Sequence, residues 1–361
     1  MAPLDGLRVL DLTMWRPGPY TTQLLAQLGA DVIKVEPPGG EPMRMFQGHF
    51  DLLNRRKRSI VLDLKSDAGR ERCLELAADA EVFVEGFRPG VADRLGVGDA
   101  VLRARNPRLV YCSISGYGAD GPLAQVPGHD VNYRAYTATL PPDAVSPSLE
   151  ELPVADMSAA TMAAFAITAA CLKARATGEG DRIDLGMADV LAHWTSTVPE
   201  ALRPQPATAP PVTPPPADPV PHVTGPVPGY GVYATKDGLK ITLGVVSEER
   251  LWAATCRALG LDEAAGVPFA ERLGRVAELD AEVAAAIARL TRDEAMERLS
   301  AAGAPVAPLL TGAEMLDLDH FRARGVLDAG PVRTAAHPPL PGGRVAGLDE
   351  HRGESWRHLT D

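Results

Sequence analysis

Two helix starts in this chain carry residues suited to acid/base work. His129 and Asp130 open a predicted helix that contains Tyr133, and Asp156 directly precedes a second helix read from Met157. Helix starts present free amides and the positive end of the dipole, which stabilise an oxyanion. An acid/base group beside such amides suits the α-proton of a carbonyl compound. Taken singly, Asp156 is equally an ordinary N-cap, and His129 the polar end of a loop. A third group is cationic. Arg55, Arg56, Lys57 and Arg58 directly precede a strand at Ile60, and Arg88 and Arg94 follow another strand end. A planar guanidinium binds phosphate in two places at once, so this group is either a local anion site or a solvated loop.

Other chemistries lack their signatures. The turn after the first strand reads RPGPY (16–20) rather than GxGxxG, and there is no GxxxxGK[ST] and no HExxH. Dinucleotide, P-loop and zinc-hydrolase readings lose their support, and no metal site is expected. Cys73, Cys112, Cys171 and Cys256 lie far apart in apolar settings, as reduced core thiols of a cytoplasmic protein do. With 36 Lys+Arg against 47 Asp+Glu the chain has net charge -11, against the broad basic face of a nucleic-acid binder. Its 361 residues, 45% apolar and 23% charged, suffice for a packed core. The longest near-apolar run, 159–172, is 14 residues, short of the roughly 20 of a membrane span. It reads as a buried helix, and the N-terminus has no signal-peptide pattern because Asp5 and Arg8 interrupt it.

The elements that must position these residues alternate. Strand signals at 7–12, 31–35, 60–64, 82–85 and 109–115 are separated by helical stretches at 20–28, closed by Gly29, and at 66–78, capped by Ser66. Strand–helix alternation implies crossovers and a mostly parallel, doubly wound (Rossmann-like) sheet in an α/β protein. GFRPG (86–90) then sits at the carboxyl end of a strand, where such sheets place ligands. Helices follow at 130–140, 157–176 and 187–202, with a short strand in 178–186. Residues 199–228 hold 12 of the chain's 33 prolines, an extended connector. A small α+β unit comes next: a hairpin over 229–244 turning at Lys236-Asp237-Gly238, then helices at 248–259, 279–288 and 293–302. The expected division is a large domain 1–198, a linker 199–228, a small domain 229–328 and a tail 329–361 returning to the large domain.

Several segments together resemble the CaiB/BaiF, or class III CoA-transferase, family, one branch of which is the α-methylacyl-CoA racemases. They are GLRVLDLT (6–13), LGADVIKVEPPGGEPMR (28–44), RRKRSIVLDLKSDAGR (55–70), FVEGFRPGVADRLGVG (83–98), LVYCSISGYGADGP (109–122), GHDVNY (128–133) and GMAD (186–189). YGVYATKDG (230–238) and AGAPVAPL (302–309) extend the likeness through the small unit. The resemblance implies an interlocked homodimer, active sites made by both subunits, and no cofactor beyond the CoA of the substrate. By similarity Arg55, Lys57, Arg58, Arg88 and Arg94 contact the CoA, while the Gly86 turn lets it approach closely. A charged residue that racemase-like members carry after the second strand is Pro37 here, with Arg44 as a substitute.

The resemblance leaves two chemistries open. Transferases use the aspartate at Asp156 as a nucleophile, through an anhydride and an enzyme–CoA thioester. Racemases use it as an acid/base and add the histidine of a GHDxNY pattern. GHDVNY and the chain length favour the racemase, with His129 and Asp156 on opposite faces of the α-carbon and amides at the Met157 helix stabilising the enolate. Asp130 and Tyr133 are then substrate-positioning residues, and Glu248, with Glu249 as its rival, is the candidate partner of His129. Asp156 needs partial burial to bring its proton affinity, ordinarily near pKa 3.9, towards an imidazole's roughly 6.5. Many members have a glycine-rich run after this aspartate. Here it is DMSAAT (156–161), which narrows the approach and keeps a non-catalytic acyl-CoA-binding subunit as a third alternative. Met157, Met162 and Met187 are either core residues or the lining of an acyl channel.

Overall fold

The computed structural model describes residues 2–140, 152–198, 227–326, 331–332 and 343–357. Six strands, β1 (Arg8–Leu12), β2 (Asp31–Glu36), β3 (Arg58–Val61), β4 (Val82–Glu85), β5 (Val110–Ser115) and β6 (Arg182–Gly186), form one sheet. Every pairing is parallel and the order is β3-β2-β1-β4-β5-β6. Between them run α1 (Pro17–Gln27), α2 (Gln47–Asn54), α3 (Asp67–Asp79), α4 (Val91–Arg94), α5 (Asp99–Arg105), α6 (Asp130–Tyr136), α7 (Val154–Thr177) and, after β6, α8 (Met187–Ser196). The order reverses between β1 and β4, which opens a crevice beyond their carboxyl ends.

Both faces of this sheet are covered, and the sequence shows why. Side chains alternate across a strand, so a strand buried on both sides is apolar throughout. Val9, Val82, Val84, Val110, Cys112 and Ile114 pack in one core with Leu25 of α1, Ala159 and Ile167 of α7, and Leu191 of α8. Leu10, Ile33, Phe83 and Tyr111, from the same strands, pack in the other with Leu74 and Leu76 of α3 and Leu102 of α5. The Ser66 cap holds as expected: its Oγ accepts the Gly69 N–H at 3.0 Å. All four cysteines are buried and unpaired.

Helix α7 departs from the sequence reading. It has 24 residues and begins at Val154 with Pro153 at the N-cap. Asp156 is therefore inside the first turn rather than capping it. The helix is long and apolar enough to span a bilayer by length and composition. Its Ala155, Ala159, Ala163, Ile167, Ala170 and Ala174 nonetheless pack in the core of the large unit.

The chain divides into two compact units, one of Met1–Arg203 with His320–Asp361, the other of Pro204–Asp319. The proline-rich connector lies, but for residues 227 and 228, outside the described residues. Residues 343–357 belong to the large unit and cover its β3 edge. The Arg56 N–H donates to Arg344 O and the His351 N–H to Ser59 O, both at 3.0 Å. The Trp356 indole donates to Leu76 O, also at 3.0 Å. The small unit pairs β7 (Tyr230–Ala234), β8 (Lys240–Gly244) and β9 (Val306–Pro308) antiparallel. On that sheet pack α9 (Glu249–Leu259), α10 (Phe269–Arg272), α11 (Val276–Ile287) and α12 (Arg292–Ala301), around Trp252, Ile241, Leu279 and Leu299.

Candidate active site

A cavity of about 490 Å³ opens beyond the carboxyl ends of β1, β4 and β5. His129 and Asp156 both line it, with Gly86, Arg88, Ser115, Tyr133 and Met187 among the other walls. Each wall is fixed by identifiable contacts. After β1, the buried Asp11 carboxylate accepts the Thr13 N–H at 2.9 Å, the Thr22 hydroxyl at 2.6 Å and Lys57 Nζ at 3.1 Å. Burial alone would raise Asp11, but Lys57, Lys34 and the two threonine hydroxyls outweigh it and hold its pKa at about 2. Lys34 Nζ donates to Thr13 O at 2.8 Å and pairs with Glu41. A Cβ on Gly18 would meet Thr13 Cβ at 2.2 Å, so only glycine closes this turn. Trp15, at its apex, adopts φ +67°, rare for a bulky residue.

After β4, Glu85 accepts the Phe87 N–H at 2.6 Å and holds the 86–90 turn. Burial pushes this glutamate up to about 7, against the hydrogen bonds from Phe87 and Tyr111. After β5, Gly116 leaves room for the Tyr133 ring. The Tyr133 hydroxyl donates to Gly128 O at 2.6 Å and anchors the loop that carries His129. Tyr133 is buried, and its hydrogen bond serves that loop. His129 is exposed and caps α6, its own N–H donating to Asn132 Oδ1 at 3.0 Å.

Asp156 sits half-buried in the first turn of α7. Burial, reinforced by the nearby Asp130 charge and opposed by Arg16, pushes its pKa up to about 7. Asp130 Oδ1 accepts the Ala155 N–H at 2.7 Å and the Asp156 N–H at 3.3 Å. Asp130 thus caps α7 from a distance. The Met157 N–H, which the sequence reading offered to an enolate, goes to Pro153 O at 3.0 Å.

The cationic cluster separates. Lys57 is buried, its ammonium spent on Asp11, Pro19 O and Asn54 Oδ1. Burial draws its pKa down to about 8, opposed by Asp11. Arg58 is buried too, paired with Asp31 and bonded to Ser355 O at 2.6 Å. All three Lys57 donors are taken, and four of the five on Arg58. Arg44, the residue read as a substitute for the charge lost at Pro37, bonds both Glu36 oxygens, at 2.7 and 2.6 Å, and lies over the Phe50 ring. Arg55 is half-buried, while Arg88 and Arg94 are exposed and only Arg88 lines the cavity. Glu248 belongs to the small unit, where its carboxylate accepts the Val246 N–H at 3.0 Å. Glu249 pairs with the buried Arg272.

A second cavity of about 440 Å³ lies beyond β1, β2 and β3 and shares Met14 and Phe87 with the first. Lys65 lines it, a cation the sequence reading passed over. Its signal was its place just after the strand at 60–64. Arg16 was also missed, although it stands in the turn after the first strand.

An open parallel sheet with an acid/base-lined cavity at its switch point is the build of an α/β enzyme acting on a small molecule. The chain belongs to CoA-transferase family III, whose family model matches residues 4–357. It is 33% identical over 376 residues to the acetyl-CoA:oxalate CoA-transferase of Acetobacter aceti, covering 96% of this chain and 90% of that one. It is 30% identical over 346 residues to the human alpha-methylacyl-CoA racemase, covering 94% and 86%. A CaiB/BaiF family protein from Brucella suis has the same fold, with a TM-score of 0.81, 27% identity and 97% of each chain covered.

Proposed function

We propose that this protein is a racemase or epimerase of 2-methyl-branched acyl-CoA esters that transfers a proton at the α-carbon. The observation that carries the reading is that His129 and Asp156 line one cavity, with Asp156 raised to about 7. Inversion needs a base on one face and an acid on the other, and exchange is fastest when their proton affinities match. Burial lifts the Asp156 carboxyl from its ordinary value near 3.9 to about 7, which suits it to take up and return a proton near neutral pH. The thioester reaches the pair with its CoA along these two neighbouring cavities, where Arg88 and Lys65 are the cations for its phosphates. The family likeness supports CoA as part of the substrate.

The test is a single-enantiomer 2-methylacyl-CoA incubated in deuterated water. Deuterium enters the α-position with wild type and the exchange disappears in His129→Ala. A wild type without exchange overturns the reading.

A second reading, a CoA-transferase with Asp156 as the nucleophile, is favoured by the 33% identity to the Acetobacter aceti enzyme. Asp156 would attack the thioester carbonyl, expel the CoA thiolate and form an anhydride. Hydroxylamine then modifies Asp156 during turnover; an aspartate that stays unmodified through turnover excludes it.

A further inference from the structure

In both chemistries negative charge collects on the thioester oxygen. When the α-C–H bond breaks, the proton passes to His129 or Asp156 and the electron pair moves onto the carbonyl oxygen as an enolate. When a carboxylate adds to the carbonyl carbon instead, the C=O π pair moves to the same oxygen. That oxygen needs a donor, and the α7 amides do not supply it. Ala155 and Asp156 donate to Asp130, and the Met157 N–H goes to Pro153 O at 3.0 Å. A carboxylate already stands where the anion would bind.

Arg16 is the unpaired cation that stands at the edge of this gap. It is not itself among the residues lining the cavity, but it directly precedes α1, and its neighbours Trp15 and Pro17 line the cavity with Asp156. The starts of α1 and α7 lie side by side, since Thr21 Oγ1 donates to Ala160 O at 3.3 Å. Thr21 follows Arg16 by five residues and Ala160 follows Asp156 by four, between one and one and a half helical turns. The apex residue Trp15 holds its left-handed φ of +67°, strain of a kind that clusters at functional sites. The Arg16 guanidinium is half-buried and makes no hydrogen bond or ion pair among the described residues. Its charge reaches Asp156, whose ionised form it favours.

We propose that Arg16 is a catalytic residue whose guanidinium binds the oxygen of the reacting thioester and stabilises the charge that develops there. The assignment rests on the thioester reading above and holds for proton transfer and acyl transfer alike. Steady-state kinetics of Arg16→Gln and Arg16→Lys test it, in whichever assay the wild type is active. Removing one oxyanion donor costs roughly 100-fold in kcat, so Arg16→Gln falls by that factor with KM near wild type. Arg16→Lys recovers part of the loss, as a point charge without the fork. Thermal melts of both variants match wild type, because the side chain holds no other part of the protein. An unchanged kcat, or a loss confined to KM, overturns the assignment. So does a loss seen only with acyl groups bearing a second carboxylate, which makes Arg16 a substrate-recognition residue. A wild type inactive in both assays overturns the thioester reading itself, an outcome distinct from an active wild type indifferent to Arg16.

Discussion

Asp130 accepts the backbone N–H of Asp156 at 3.3 Å, so one carboxylate both fixes the helix start that carries the other and repels its charge. The two effects separate by substitution. Asp130→Asn keeps an oxygen that accepts the Ala155 and Asp156 amides but removes the negative charge. Asp156 then ionises more easily, and the acid limb of kcat/KM, measured as a pH–rate profile, moves to lower pH. A limb that stays in place means the Asp130 charge does not reach the reacting carboxyl. Asp130→Ala loses the cap as well, at about 1 kcal/mol of stability.

Asp156 itself weakens the fold at neutral pH. Its pKa is about 7 in the folded protein and near 3.9 in an unfolded chain, so between these values the unfolded state binds fewer protons. Stability then falls as pH rises through that window. Asp156→Asn removes the ionisation while keeping the shape. Its melting temperature, followed by circular dichroism, exceeds wild type by little at pH 4 and by more at pH 8. An equal difference at both values contradicts the raised pKa.

Lys57 tests burial against ligand binding. Its ammonium and the Asp11 carboxylate lie 3.1 Å apart, both side chains almost wholly buried. Lys57→Met leaves a buried carboxylate without its cation, a change that costs about 3–5 kcal/mol. The Asp11→Asn, Lys57→Met pair costs less than the sum of the single changes in denaturant titrations, because no charge is stranded. Acid adds a second check. Asp11 is held at about 2 against an ordinary carboxyl near 3.9, so its contribution is complete above the higher value. It is lost as pH falls through the lower one. Any folded Lys57→Met retains wild-type KM for CoA thioesters; a raised KM restores Lys57 to the phosphate site.

The same lysine shows where the sequence was legible and where it was not. Strand and helix order could be read because strands buried on both faces are continuous apolar runs, and because Ser66 and the Lys236-Asp237-Gly238 turn act locally. His129 and Asp156 could be named because each lies beside a helix start. The fate of Lys57 and Arg58 could not, since the acids that take them, Asp11 and Asp31, are 46 and 27 residues away. A run of four cations reads as a phosphate patch until the sheet folds two of them inward. Likewise Asp156 resembles an N-cap in sequence, while the true cap comes from Asp130, 26 residues earlier. Long-range pairing carries no local pattern.

Gly116 makes the last expectation, because it couples packing to the position of His129. A Cβ there would stand 2.7 Å from Tyr133 Cε1 and 2.9 Å from its hydroxyl, closer than carbon contacts allow. Tyr133 cannot retreat freely. It is buried, meets the Tyr117 ring edge-on at 5.1 Å between centroids, and donates to Gly128 O. Gly116→Ala therefore displaces the ring, breaks the bond to Gly128 and shifts the residue after it, His129. The expected cost is about 1–3 kcal/mol in stability together with a fall in kcat. Gly48→Ala, on α2 with open space around it, serves as the control: it leaves kcat unchanged and raises stability by up to about 1 kcal/mol. Tyr133→Phe separates the two effects, since it keeps the ring and loses only the hydrogen bond, worth about 1 kcal/mol. If kcat falls in Tyr133→Phe as it does in Gly116→Ala, the Tyr133–Gly128 bond is what holds the histidine; if it falls only in Gly116→Ala, the ring itself does.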